Sequence, residues 1–358
     1  MTLMREADGS ATAPMRARRP ARGDDRLARA RALAPEILAL HIRSLPDGAR
    51  RAVVSSAQVT STGKAIVVLA PVGEPPCAVI KMPMTPGAVG GLERETAVLS
   101  ALHADGRLGR WPELLPRTRA HGSIAGQPYR IDSALAGRPV LERVMDANAR
   151  RSLLNAAAET IDVLHRATAT ARHGDPELAE RWVDRPVREL MRHGGRGRAL
   201  AIGLERLRDE LHEALAGGTF SVGYIHGDYW LGNLLFSGAG STTGAPDGIV
   251  DWDEAAPLEL PLHDLLHLLL YTRRLITGRE LGQIVRDHLR GGEWSADEHL
   301  LLDRHGRWRR DGSLSDRHAL LLYWLRQVAV HARQQTPPVG YRYRLWERRN
   351  VVPVVTSL

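Results

Sequence analysis

Tyr224 to Phe236 reads YIHGDYWLGNLLF, and after a polar loop Gly248 to Tyr271 reads GIVDWDEAAPLELPLHDLLHLLLY. His226, Asp228 and Asn233 interrupt apolar runs that otherwise have the pattern of short strands. Polar side chains at buried strand ends cost free energy unless water, a metal or a substrate satisfies them. They are the first candidates for chemistry.

Working outward, residues 51–83 predict three strands, AVVSSAQV, KAIVVLAPV and CAVIKM, separated by a Ser-Thr-Gly turn and by GEPP. A helix follows over about 91–104, apolar at 92, 98, 99 and 102 and with carboxylates in its first turn. AHGSIAG and YRIDSALAG predict two further strands, and ALAGRP at 134–139 a hinge. Beyond it the pattern turns helical: 148–170, with a stripe at 153, 154, 157, 161 and 164, then 205–215, 258–276, 279–290 and 315–334. Trp294, Trp308, Trp324 and Trp346 read as helix-packing residues. The expected fold class is α+β and bilobal. A small antiparallel-sheet lobe with one helix spans 25–134 and a larger, mainly helical lobe spans 135–358, after a disordered lead over 1–24.

Composition narrows the function. A chain of 358 residues with 43% hydrophobic content supplies two cores. It has no run of about 18 uncharged apolar residues, and its lead lacks the apolar centre of a secretory signal, so no membrane partner and a cytoplasmic location are expected. A single cysteine, Cys77, excludes an intrachain disulfide framework and a cysteine-based zinc site. The net charge is +8, yet residues 201–300 hold 16 acidic against 7 basic side chains. The candidate segment thus has the wrong sign for a phosphate-backbone groove, and no nucleic-acid partner is expected.

Of the 49 basic residues only Lys64 and Lys81 are lysines. In so biased a chain a surviving lysine marks a place where the compact ammonium serves and the forked guanidinium does not. Lys81, at the end of an apolar run, is expected to be functional. Lys64, just after a Ser-Thr-Gly turn, is expected on the surface.

Together these residues match the tasks of phosphoryl transfer. An amide oxygen from Asn233 and a carboxylate from Asp251 suit Mg²⁺, which takes one or two protein groups and completes its shell with water and phosphate oxygens. Asp228 would orient a hydroxyl and accept its proton, while Lys81, steadied by a helix carboxylate, would neutralise nucleotide phosphates. An Asn five residues past the base is kinase spacing.

Over roughly residues 50–275 the chain resembles the aminoglycoside phosphotransferase and choline kinase-like family, the small-molecule branch of the protein kinase-like fold. HGDYWLGN and IVDWDEAAPLELPLHDLLHLLL carry the resemblance. It implies Asp228 as catalytic base, Asn233 and Asp251 as Mg²⁺ ligands, Lys81 as the nucleotide lysine and Glu95 as its partner, with His226 and Asp264 bracing the catalytic segment. Ser61, Thr62 and Gly63 in the first turn, and Ser133 and Leu135 at the hinge, are the further expected contacts to ATP or GTP. The loop departs from the family pattern in carrying Tyr229 and Trp230, which are candidate substrate contacts or packing residues. Asp253 and Glu254 are candidates for a cationic acceptor or belong to a solvated acidic face.

The resemblance implies an ATP- or GTP-dependent O-phosphotransferase acting on the hydroxyl of a small molecule, with an antibiotic as the expected acceptor and a monomer or homodimer as the expected state. A kinase for a sugar, an amino alcohol or a nucleoside-like metabolite is the alternative. A nucleotide-binding pseudokinase would lack a motif residue, and none is missing.

Overall fold

The structure is a computed structural model and describes residues 22–43, 45, 47–60, 62–193, 197–237, 244–306, 314–335 and 340–358. The expected lead lies outside the described residues as far as 21, as do Ser61 and Trp308. Residues 22–24, read as part of that lead, open helix α1 (Arg22–His41).

Five strands make the small lobe: β1 (Ala52–Val59), β2 (Lys64–Pro71), β3 (Ala78–Pro83), β4 (Thr118–Ile124) and β5 (Gln127–Ser133), with helix α2 (Pro86–Ala104) inserted after β3. They form one antiparallel sheet in the order β1-β2-β3-β5-β4. Ala65, Val67 and Leu69 of β2, with Ile80 and Met82 of β3 and Ile131 of β5, pack with Ala30, Ala34 and Ile37 of α1. Successive strand side chains alternate between faces, so Lys64 and Ile66, Lys81, and Arg130 all turn to the opposite face. The register sets Lys81 beside Ile66 on one side and Arg130 on the other.

Helix α2 belongs to both lobes. Its Val98, Leu99 and Leu102 join the large core of the second lobe, which leaves Glu95 wholly buried at the junction. The helix begins five residues before the expected start, with Pro86 in its first turn and no acidic residue there. Pro has no N–H to lose at that position, and packing overrides the weak helix propensity of Gly90 and Gly91. Glu93 and Glu95 are thus mid-helix, a correction to the first-turn reading.

The larger lobe opens with α3 (Ala147–Thr168), whose first turn is capped by the Asp146 carboxylate accepting the Ala149 N–H at 2.7 Å. All five residues of its expected stripe are buried. The helix stops at Thr168 because Thr170–His173 forms strand β6, paired with β7 (Thr219–Ile225). Between them lie α4 (Pro176–Ala179), which runs through a π turn at Glu180–Asp184 into α5 (Arg185–His193), and α6 (Arg198–Leu215). Strands β8 (Leu234–Leu235) and β9 (Gly248–Ile249) form a ribbon around the polar loop.

Residues 258–261, expected to open a helix, instead belong to β10 (Ala256–Glu259) and a turn, and α7 (Leu262–Thr277) starts only after Pro261. A residue preceding proline is pushed out of helical geometry, which accounts for the shift. Helix α7 is buried at every residue from Leu262 to Leu270 and ends at Gly278 in a left-handed conformation, φ 66°. It packs against α3, α8 (Leu281–Leu289), α9 (Ala296–His305) and α10 (Asp316–Arg333), while α11 (Tyr341–Asn350) and α12 (Val352–Val355) pack on α8. Trp324 lies in this core, and Trp294 and Trp346 pack against it. No described helix is long and apolar enough to cross a membrane.

Candidate active site

Between the lobes runs a buried network of charge. Lys81 Nζ lies 2.5 Å from Glu95 Oε1 and 3.6 Å from Asp132. Arg130 reaches Glu95 at 2.9 Å and Asp132 at 2.8 Å. Lys81 and Arg130 are cross-strand neighbours that would repel each other, and Glu95 spans them. Burial opposes ionisation of Glu95, but Lys81, Lys64 and Arg130 outweigh it and hold its carboxyl well below the ordinary value.

Lys64 corrects the sequence reading. It is buried, with its ammonium 2.6 Å from Asp251, 3.2 Å from Asp253 and 3.7 Å from Glu95. Burial works against the charged lysine, yet these three carboxylates keep its pKa above the usual range. The reason lies in the strand period: Lys64 shares the sheet face of Lys81, opposite the face packed on α1. Burial, and next the charge of Asp251, push the Asp253 carboxyl up to about 7. The pull of Lys64 is too small to offset them.

The His-Gly-Asp turn leaves the end of β7 under several restraints. Asp264, the third residue of α7, accepts the N–H groups of His226 and Gly227 at 2.8 Å each, and His165 Nε2 lies 3.0 Å away. Burial raises the Asp264 pKa, but His165 and the bonds it accepts hold it below the ordinary value. His226 is buried, its Nε2 3.0 Å from the Val250 carbonyl and its ring centroid 4.5 Å from that of Trp252. Gly227 has φ 82°, and a Cβ there would lie 2.2 Å from the Glu254 carbonyl. Arg326 and Gln327 donate to the Gly227 carbonyl at 3.0 and 3.1 Å.

Asp228 is carried out of this turn with its side chain 37% exposed. Asn233 Nδ2 donates to its carbonyl at 2.9 Å and to Oδ2 at 3.1 Å, which leaves the amide oxygen as the atom free to meet a cation. His267 Nε2 stands 2.9 Å from Asp228 Oδ1, and His267 Nδ1 lies 3.0 Å from the hydroxyl of buried Tyr323. Asp251 follows β9 in a left-handed backbone conformation, φ 71°, uncommon for a residue with a Cβ and a mark of local strain. Asp228 and Asp251 both line a cavity of about 260 Å³ that also takes in Thr62, Tyr271, His331 and Trp346.

The profile of the phosphotransferase enzyme family (APH) matches residues 68–300. The chain belongs to this family. It is therefore a small-molecule kinase, and the bilobal protein kinase-like architecture expected from the sequence is the one observed. Among solved structures it is similar to aminoglycoside phosphotransferase APH(3'')-Id from Streptomyces rimosus, at 18% identity over 85% of this chain and 99% of that one, with a TM-score of 0.48. It is similar also to a putative fructosamine-3-kinase from Haemophilus somnus, at 10% identity over 89% and 99% of the two chains, with a TM-score of 0.47. No curated protein matches it by sequence.

Within this phosphotransferase the other expected positions divide. Thr62 lines the cavity beside Thr60, whose hydroxyl lies 2.8 Å from its own. Gly63 has φ 83°, with Thr85 so close that a Cβ would lie 2.6 Å from it. Ser133 Oγ accepts the Arg117 N–H at 2.9 Å, and Leu135 packs over Gly248. Tyr229 is a core residue rather than a substrate contact: it is fully buried and its hydroxyl donates to the Ala157 carbonyl at 2.8 Å. Trp230 covers Gly232, where a Cβ would lie 2.2 Å from the indole, and its ring is 4.7 Å from that of Tyr271. Glu254 is paired with Arg333 at 2.7 Å and Gln334 at 3.2 Å.

Sequence reasoning missed Lys64, Arg130 and His267 as parts of this centre. His267 had a signal, as the one polar residue in the apolar run Leu265 to Tyr271 apart from its terminal tyrosine. Arg130, one of 47 arginines, had none.

Proposed function

We propose that this phosphotransferase transfers the γ-phosphoryl group of ATP or GTP to a hydroxyl of a small molecule, with Asp228 as base. The observation that carries the reading is that Asp228, Asn233 and Asp251 converge with the Lys81–Glu95 pair at one cleft between the lobes. The donor set fits Mg²⁺: one carboxylate, one free amide oxygen and open space for phosphate oxygens, the composition a hard cation takes at a nucleotide. Asn233 and Asp251 would hold it, and the ion would supply charge neutralisation at the phosphates. Lys81, fixed by Glu95, would bind the nucleotide phosphates. Asp228, held by the Asn233 amide with His267 Nε2 2.9 Å away, would align the acceptor hydroxyl and take its proton.

On the acceptor side, the carboxylates are largely committed. Glu254 is held by Arg333 and Gln334, and Glu280 by Arg274 at 3.4 Å. The cavity offers the rings of Tyr271, His331 and Trp346. This favours an acceptor recognised by ring faces and hydrogen bonds over one recognised through several ammonium groups. Family membership supports an antibiotic as that acceptor, with a metabolite as the alternative. A thermal-shift panel of antibiotics and metabolites with Mg²⁺ and ATP or GTP tests the reading, since ligands that bind the folded state raise Tm. Any hit is then assayed for phosphorylated product. Asp228→Ala is expected to abolish turnover while leaving nucleotide affinity within about threefold; substantial residual turnover removes Asp228 from the role of base.

A further inference from the structure

The cation nearest Asp251 in this structure is Lys64, and the family profile, which begins at residue 68, does not cover it. Lys64 lies 3.7 Å from Glu95, which Lys81 at 2.5 Å and Arg130 at 2.9 Å engage more closely. Its own nearest carboxylates are Asp251 at 2.6 Å and Asp253 at 3.2 Å. An ammonium that close to the carboxylate and a metal ion on the same oxygen exclude each other.

Its backbone is fixed. The Lys64 N–H donates to Thr60 Oγ1 at 3.1 Å and its carbonyl accepts from Thr60 at 2.8 Å, and Gly63 is tied to Met84 at 2.8 Å. Any movement therefore falls to the flexible four-carbon side chain, whose partners Asp251 and Asp253 line the cavity. An arginine could not make this exchange as readily, because its planar fork is wider and more directional.

We propose that Lys64 is a tethered counter-ion. In the nucleotide-free enzyme its ammonium occupies the cation seat at Asp251 and Asp253, and it transfers to the nucleotide phosphates when nucleotide and metal bind. Lys64 is thus a positioning residue that keeps free divalent metal out and joins Lys81 on the phosphates. The proposal rests on the assignment of Asp251 to the metal site given above.

Binding of Mn²⁺, which favours the same oxygen ligands as Mg²⁺, can be followed by electron paramagnetic resonance with and without ADP in wild type, Lys64→Met and Asp251→Asn. Without nucleotide, Lys64→Met is expected to bind Mn²⁺ at least about tenfold more tightly than wild type, because the seat is vacated while Asp251 and Asp253 remain. Equal Mn²⁺ affinity in the two proteins overturns the proposal. The site assignment fails separately, if Asp251→Asn binds Mn²⁺ with ADP as well as wild type does.

Should Lys64→Met not fold, wild-type protein labelled with ¹⁵Nζ-lysine gives the same decision. Its two lysines give two ammonium resonances. Both must shift when ADP is added together with Mg²⁺, and a single shifted resonance means that Lys64 stays on its carboxylates and the proposal is wrong.

Discussion

Replacing Asp264 with asparagine keeps the size and shape of the side chain and removes one lone-pair face and the charge. Two buried N–H groups, of His226 and Gly227, each donate to separate carboxylate oxygens at 2.8 Å, with His165 Nε2 at 3.0 Å. An amide supplies one oxygen, so one N–H, or the His165 ring, is left facing an NH₂ group. Hydrogen bonds to a charged acceptor contribute about 1.5–3 kcal/mol each, and an orphaned buried donor costs about 1–3 kcal/mol. Losing one bond and orphaning one donor places the expected destabilisation at about 2.5–6 kcal/mol, a large part of the 5–15 kcal/mol typical of a folded domain. Urea unfolding followed by tryptophan fluorescence measures it as a fall in midpoint at unchanged m. A loss below about 1 kcal/mol would refute the view that Asp264 holds the His-Gly-Asp turn.

Two further outcomes follow from the same geometry. Gly227→Ala meets both a φ of 82° and a Cβ 2.2 Å from the Glu254 carbonyl, so the turn must shift; a loss of about 2–4 kcal/mol in the same unfolding assay is expected, and a neutral substitution contradicts the fixed turn. The pKa values of Glu95 and Asp264 are depressed in the folded state, so their contribution is complete above their ordinary values of 4.5 and 3.8 and is lost as pH falls through and below them. The urea midpoint should drop as pH falls below about 4.5, more steeply in wild type than in Glu95→Gln, and identical slopes would refute the assignment.

Much of the site was legible as residue types in order. His226, Asp228 and Asn233 stand out as polar residues where the strand pattern calls for apolar ones, Asp251 by its place after a strand, and Lys81 because lysine is rare here, whereas Asp264 is picked out only by the family resemblance. The strands of the small lobe were read within a residue or two, since turn residues bracket them, except that YRIDSALAG runs four residues past the end of β5 at Ser133. What sequence did not supply was pairing register. Lys64 was read as exposed from its place after a turn, whereas the alternation that buries Ala65 and Val67 sends Lys64 to the face of Lys81 and the cleft. Arg130 enters the network only because β5 pairs with β3, a contact across 49 residues of chain between Lys81 and Arg130. Tyr229, beside the base, was open between a substrate contact and packing. Its side chain turns away to Ala157, a partner 72 residues distant that no local pattern announces.

The central claim is that Asp251 and its neighbours bind a metal nucleotide in this cleft. Isothermal titration of ATP into wild type and Asp251→Ala, with and without Mg²⁺, tests it most directly. Wild type should bind ATP at least about tenfold more tightly with Mg²⁺ than without, and Asp251→Ala should lose that gain, about 1.4 kcal/mol or more. A Mg²⁺-dependent affinity that is the same in both proteins would contradict the account.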